Sequence, residues 1–137
     1  MRWREHAEIL LRKAGQDEYA MNKLALDPEA ADEVIGFHAQ QAVEKLLKAV
    51  LNIRAVAYRR THDLMTLIDL LRESGPPLPP DLEDVCRLGP FAAEFRYDMM
   101  PPEGKESLDR QWIVGRVRRV RSWAESMIET KRDGTQC

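Results

Sequence analysis

The run Phe37-His38-Ala39-Gln40-Gln41-Ala42-Val43-Glu44-Lys45-Leu46-Leu47-Lys48-Ala49 decides the fold that we predict for this chain. Apolar residues recur along it at spacings of three and four, which is the period of an α-helix. The same period continues to Ile53. The residues that fall within one narrow sector of this helix are Ile35, Ala39, Ala42, Leu46, Ala49 and Ile53. The sequence therefore predicts a long helix with its apolar face in a core.

Polar residues and one aromatic residue occupy the other side of this predicted helix, opposite the centre of the core. They are Phe37, Gln41, Glu44 and Lys48. A large aromatic residue on a polar face predicts a partner surface, with Phe37 as the apolar anchor and Gln41 as a hydrogen-bonding group. The alternatives are that other helices also cover this side, or that Glu44 and Lys48 merely form an i,i+4 ion pair.

Two further helices are predicted on either side of the long one. The first spans about residues 3 to 25. Asp27-Pro28-Glu29 then starts the long helix, because Asp27 can cap free N–H groups and proline suits the first helical position. Thr61 is the predicted N-cap of the third helix, which places His62 and Asp63 in its first turn. The Gly and Pro residues of segment 74–80 end that helix.

The carboxyl-terminal half predicts two more helices. One spans about residues 81 to 97, with a kink at Gly89-Pro90 because proline removes a backbone hydrogen bond. The last spans about residues 107 to 130. Five amphipathic helices with short links predict an all-α fold, an up-and-down antiparallel bundle of four to five helices. We expect one domain over residues 1–137, with a frayed tail at 131–137.

Composition limits the class of protein. The chain has 137 residues, 44% apolar and 32% charged, and a net charge of -2, which argues against a generally basic nucleic-acid binder but allows a local basic patch. No apolar run approaches the ~20 residues that span a bilayer, so we expect no membrane contact and a cytoplasmic location. Cys86 and Cys137 fit free thiols of a reducing cytosol. No metal-ligand spacing is present, and we predict neither a metal site nor a cofactor.

The last predicted helix carries a local concentration of arginine. Residues 110 to 121 include five arginines and no acidic residue, and Trp112, Arg116, Arg119 and Trp123 share one narrow face. Aromatic side chains interleaved with arginine can stack bases and neutralise phosphates. Arginine stems lying over indole rings can equally seal an edge of the bundle. A third interpretation is that Trp112, Arg116 and Arg119 form an interface for an acidic partner protein.

Histidines offer two further candidates. His38 and Lys45 flank the apolar face of the long helix two turns apart, where His38 can bind a nucleotide phosphate or meet a carboxylate. The adjacent His62 and Asp63 can form a catalytic pair. They can also be polar residues near a helix cap, since neighbouring helical side chains point about 100° apart.

Three stretches stand in a fixed order: Phe37 through Lys45 with Lys48-Ala49, then Thr61-His62-Asp63-Leu64, then Phe91 through Arg96-Tyr97-Asp98. Together they resemble the HEPN family (higher eukaryotes and prokaryotes nucleotide-binding domains). The resemblance implies a compact helical bundle, usually a homodimer. Stand-alone members are often paired with a separate minimal nucleotidyltransferase in a toxin–antitoxin arrangement. Many members are ribonucleases that need no metal and use an Arg followed, after four to six residues, by His.

This chain departs from the ribonuclease pattern. Arg96 matches the arginine, but positions 101 to 103 are Pro, Pro and Glu. RNA cleavage of this kind needs a group that accepts the 2′-hydroxyl proton, and arginine is a poor base because of its high pKa. Glu103 is the only residue at these positions that can take the place of the missing His as a base. The sequence therefore leaves enzymatic activity open and favours its absence.

The resemblance and the residues together predict a homodimer that binds nucleotide or RNA through Arg96, Tyr97, His38 and Lys45. Its expected partner is a minimal nucleotidyltransferase. One alternative is a metal-independent endoribonuclease that uses Arg96 with a non-His acid or base. The other is a non-catalytic adaptor that docks a protein through the Phe37 or Trp112 face.

Overall fold

The computed structural model describes residues 2–92 and 108–134, with side chains up to residue 130. Over these residues the chain forms four α-helices, one 3-10 helix and no strand, which confirms the predicted all-α bundle. The elements are α1 (Trp3–Ala25), α2 (Asp32–Ile53), α3 (Leu64–Ser74), the 3-10 helix (Pro80–Ala92) and α4 (Arg110–Gly134). None of the helices in the described ranges is both long and apolar enough to cross a membrane.

Helix α2 lies at the centre of the bundle. It packs against α1, α3, the 3-10 helix and α4, and its apolar stripe is buried together with three of its polar side chains, Gln40, Glu44 and Asn52. Glu44 is only 4% exposed. For Glu44, the alternative that other elements also cover this side of the helix is therefore correct. Phe37 and Gln41 are half-buried.

The start of α2 differs from the prediction. The helix begins at Asp32 rather than at Pro28, and Ala31 before it is extended (φ -73°, ψ 134°). Asp27 caps a turn instead, because its Oδ1 accepts a hydrogen bond from the Glu29 N–H (2.9 Å) and its carbonyl accepts one from Ala30. An Asp-Pro pair suits a turn as well as a helix start, and the turn prevails here.

A tight turn ends α2 and sets the path of the connection that follows. Ala55 adopts a left-handed conformation (φ 58°), its N–H bonds to the Asn52 carbonyl, and the Val56 N–H bonds to the Leu51 carbonyl. This pair of bonds is the Schellman motif. It turns residues 56–63, the α2–α3 connection, back along the side of α2.

The N-cap of α3 is Asp63 rather than the predicted Thr61. Asp63 Oδ1 accepts a hydrogen bond from the Met65 N–H (3.1 Å), while Thr61 Oγ1 accepts one from the Asp63 N–H (3.0 Å). Two residues of capping type stand two positions apart, and the later one starts the helix. His62 consequently lies in the connection and not in the first turn of α3.

The predicted fourth helix is a 3-10 helix that continues through Gly89-Pro90. Leu82, Val85 and Leu88 are buried and Phe91 is half-buried, all at a spacing of three, which keeps them on one side of a helix with three residues per turn. The expected α-helix is thus replaced by a 3-10 helix, because the buried side chains recur every three residues. Residues 93–97 of that prediction lie outside the described ranges.

One arginine fastens the beginning of α4 to the connection between α1 and α2. Arg110 donates hydrogen bonds to the carbonyls of Leu24, Ala25, Asp27 and Ala30, and it pairs with Asp32. These carbonyls include the free ones at the end of α1, where a cation is favoured by the helix dipole. Arg110 therefore holds together the end of α1 and the starts of α2 and α4.

Candidate functional site

A row of residues at four-residue spacing follows one side of α2: Gly36, Gln40, Glu44, Lys48 and Asn52. Gln40 is fully buried, and Glu44 and Asn52 are each 4% exposed. We call Gln40, Glu44, Lys48 and Asn52 the polar row. Buried polar groups cost free energy unless they are hydrogen-bonded. The row therefore needs partners, and the α2–α3 connection supplies them.

Glu44 is the centre of the polar row. Its carboxylate accepts hydrogen bonds from Gln40 Nε2 (3.1 Å) and Lys48 Nζ (2.7 Å), and His62 Nδ1 lies 3.0 Å from Oε1. Burial alone would raise the pKa of this carboxyl. The hydrogen bonds from Lys48, His62 and Gln40 outweigh that effect and lower the pKa below its ordinary value. Glu44 is therefore ionised at neutral pH.

Tyr58 closes the carboxyl-terminal end of the row. Asn52 Nδ2 donates to Tyr58 Oη (2.8 Å) and to the Lys48 carbonyl (2.9 Å), and the Lys48 ammonium lies 5.7 Å from the centroid of the Tyr58 ring. Burial raises the pKa of Tyr58, so its phenol stays protonated at neutral pH. At this end of the polar row, the neutral side chains of Asn52 and Tyr58 therefore lie beside one cation, the Lys48 ammonium.

His62 closes the row near its amino-terminal end. Its carbonyl accepts a hydrogen bond from Gln40 Nε2 (3.3 Å), so the backbone and the ring of His62 are both fixed to α2. The side chain of His62 is nevertheless 64% exposed. Its second ring nitrogen, Nε2, has no hydrogen-bond partner among the residues that the structure describes. A buried carboxylate thus orients an imidazole that faces solvent.

Two cations lie beside His62 in the same connection. Arg59 and Arg60 are exposed, and within residues 2–92 and 108–130 neither makes an ion pair or a side-chain hydrogen bond. Arg59 and Arg60 therefore place two guanidinium groups beside His62 on the outer face of the α2–α3 connection. Such side chains are suited to phosphate oxygens.

The candidate residues Arg96, Tyr97 and Glu103 lie outside the described ranges, in segment 93–107. The described residues on both sides of that segment lie against the first turns of α2. The Phe91 ring packs on Gly36, where an added Cβ would stand 2.6 Å from the ring, and the Leu108 N–H donates to Asp32 Oδ2 (3.4 Å). Gly36 is one turn from Gln40, so Phe91 packs on α2 one turn away from the polar row.

His38 and Lys45 meet the same buried carboxylate. His38 Nδ1 lies 2.9 Å from Asp17 Oδ1, and Lys45 Nζ donates to Asp17 Oδ2. Asp17 belongs to α1 and is 9% exposed. Of the two alternatives for His38, the structure shows the contact with a carboxylate. A phosphate would have to compete with Asp17 for His38 and Lys45. Binding of nucleotide by these two residues stays a prediction.

Trp112, Arg116 and Arg119 lie where α4 meets the 3-10 helix. Arg116 makes two hydrogen bonds from Nε to the Asp84 carboxylate (3.0 and 3.2 Å), and its guanidinium lies 5.6 Å from the Trp112 centroid. Arg119 Nη2 donates to Asp81 (2.6 Å). This arrangement favours the interpretation that these side chains seal an edge of the bundle. Their use by a partner protein stays a prediction.

The basic character of α4 is neutralised elsewhere as well. Arg121 pairs with Glu18 of α1 and with Glu125, and Arg110 pairs with Asp32. Of the five arginines at 110–121, Arg118 alone is exposed without an acidic partner among the described residues. Among the described residues, exposed arginines without an acidic partner are therefore more concentrated on the α2–α3 connection (Arg59 and Arg60) than at positions 110–121 of α4 (Arg118).

A family model described as the HEPN domain matches residues 7–127. The chain belongs to the HEPN family. The matched residues run from the first turns of α1 into the last turns of α4 and contain the whole polar row. No curated protein and no solved structure matches the chain.

Several residues of this HEPN chain were missed from sequence. Gln40, Asn52 and Tyr58 were not singled out. The two alternatives for His62, a pair with Asp63 or a polar residue near a helix cap, did not include a contact with Glu44. The signal was present as the four-residue spacing of Gln40, Glu44, Lys48 and Asn52. Among the described residues, no cluster of three or more His, Cys, Asp or Glu side chains is placed to hold a metal ion.

Proposed function

We propose that this HEPN chain binds RNA or nucleotide through the outer face of the α2–α3 connection. The observation that carries the proposal is the group of Arg59, Arg60 and His62, whose cationic or polar ends are exposed beside the buried polar row. Arginine binds phosphate through paired N–H donors. Among the described residues, Arg59 and Arg60 have no acidic partner, whereas four of the five arginines at 110–121 have one.

Arg96 and Tyr97 are proposed as additional phosphate and base contacts. The support is that the described residues before and after segment 93–107, Phe91 and Leu108, contact the first turns of α2. An RNA strand that reaches the α2–α3 connection would pass close to this end of α2.

We also propose that the protein acts as a homodimer beside a minimal nucleotidyltransferase, in a toxin–antitoxin-like pair. Family membership supports this arrangement. Size-exclusion chromatography with light scattering should give twice the 15.8 kDa chain mass. A monomer at micromolar concentration would count against the dimer. Co-expression with a nucleotidyltransferase encoded beside it should yield a stoichiometric complex, and separate elution of the two proteins would count against the pair.

Fluorescence anisotropy with labelled single-stranded RNA tests binding. Replacing both Arg59 and Arg60 by Ser should weaken binding and lower the slope of log affinity against log salt by about 1.4, because each lost phosphate contact removes about 0.7 on a single strand. The control is Arg118→Ser, which removes an exposed arginine of α4 that also has no acidic partner among the described residues. Equal losses per arginine removed would show that only overall charge matters and would contradict this site.

A further inference from the structure

We infer that His62, oriented by Glu44, is the general base of an RNA-cleaving site at the mouth of the polar row. The inference rests on the proposed binding of RNA to the α2–α3 connection. It assigns a catalytic residue that the family's Arg–His pattern does not supply in this chain, because no His stands at positions 101 to 103.

The ionisation of Glu44 fixes the tautomer of His62. An ionised carboxylate only accepts hydrogen bonds, so the 3.0 Å contact has His62 Nδ1–H as the donor. In the neutral form of the ring the lone pair is then on Nε2, the nitrogen without a partner in the described part of the chain. A neutral imidazole with a free Nε2 can take a proton from a hydroxyl group.

The carboxylate of Glu44 does not need His62 to satisfy it. Gln40 already donates to Oε1, and Lys48 already donates to Oε2. The His62 ring is 64% exposed and so contributes little buried surface. Glu44 thus has two donors besides His62, whereas the exposed His62 ring is held by Glu44. This difference indicates that Glu44 positions His62, rather than that His62 is present to neutralise Glu44. A carboxylate–imidazole pair of this kind is the usual way to hold a proton acceptor in one orientation.

The reaction that fits is internal transesterification of RNA. The 2′-hydroxyl gives its proton to His62 Nε2, and the 2′ oxygen forms a bond to the adjacent phosphorus. The bond between phosphorus and the 5′ oxygen breaks, and that oxygen takes a proton from water. The products are a 2′,3′-cyclic phosphate and a 5′-hydroxyl, and His62 then releases its proton to solvent. Arg59 and Arg60 supply cations for the phosphate that carries the developing charge.

Cleavage of labelled single-stranded RNA by the purified full-length protein in EDTA tests the inference. The wild type should produce 2′,3′-cyclic phosphate ends and should leave DNA of the same sequence intact. His62→Ala should reduce the rate at least about 100-fold, the usual minimum contribution of a general base. Added imidazole should restore part of the rate in His62→Ala, which a purely structural role would not allow.

Two further variants separate positioning from folding. Glu44→Gln should lower kcat with little change in KM, since it alters the orientation of His62 and not the exposed arginines. His6→Ala removes an exposed histidine from α1 and should cleave at the wild-type rate. Circular dichroism shows whether each variant is folded.

The outcomes are distinguishable. Undiminished cleavage by folded His62→Ala, or products without cyclic phosphate, overturns the inference. Tight RNA binding by a wild type that does not cleave overturns the inference and leaves the proposed function standing. Absence of RNA binding overturns both.

Discussion

At the scale of single residues, Glu44 combines a structural and a proposed catalytic task. It is the one carboxylate on which Gln40, Lys48 and His62 converge. Replacing it removes the charge that balances Lys48, whose side chain is only 13% exposed. Loss of one partner from a buried polar group is expensive because the remaining partner stays desolvated.

We therefore expect Glu44→Gln to lower the free energy of unfolding at pH 7 by about 2 kcal/mol. The folded-state pKa of Glu44 lies below its ordinary value of 4.5, so its stabilising effect is present above that pH and is lost as pH falls through the folded-state pKa. Urea unfolding at pH 7 and at several acidic pH values checks this. The gap between wild type and variant should shrink on acidification, and a gap that grows would contradict the assignment.

At the scale of the elements, the packing of the 3-10 helix on α2 depends on the absence of a side chain at Gly36. A Cβ there would stand 2.6–2.8 Å from three atoms of the Phe91 ring, closer than real contacts allow. Phe91 is also the last aromatic anchor before segment 93–107. Gly36 is therefore required by a close approach and not by its backbone conformation.

Gly36→Ala should lower the melting temperature, with a destabilisation of roughly 1–3 kcal/mol from overpacking. Gly115→Ala in α4 is the matched control, because nothing lies within 4 Å of its added Cβ and alanine favours a helix by up to about 1 kcal/mol over glycine. Thermal unfolding followed by circular dichroism compares the two. Stabilisation by both substitutions would mean that Phe91 moves away at no cost.

The elements also show what sequence could and could not predict. The span of α1 and the apolar stripe of α2 follow from period alone, since each depends on local spacing. The start of α2 and the N-cap of α3 were misplaced because Asp27 and Thr61 can each cap a turn as well as a helix. The pairing of Glu44 with His62 depends on the turn at Ala55. It could not be predicted because no local sequence pattern indicates along which side of α2 the α2–α3 connection runs.

At the scale of the whole molecule, α2 is the shared partner of α1, α3, the 3-10 helix and α4. Ion pairs add links across the sequence, since Arg121 joins α4 to Glu18 of α1 and Arg116 joins it to Asp84. Every other described helix therefore packs its apolar side chains against α2. This arrangement favours a single domain with one cooperative transition, since loss of α2 would expose the core of every other element.

We expect urea unfolding to be two-state. Tryptophan fluorescence reports on α1 through Trp3 and on α4 through Trp112 and Trp123, whereas far-ultraviolet circular dichroism reports on all helices. The two transitions should share one midpoint and one slope. As a control, Arg121→Gln should shift both midpoints equally to lower urea, because it weakens the link between α1 and α4 without dividing the core. A fluorescence transition that precedes the loss of helix would instead show α4 leaving first and would contradict the single domain.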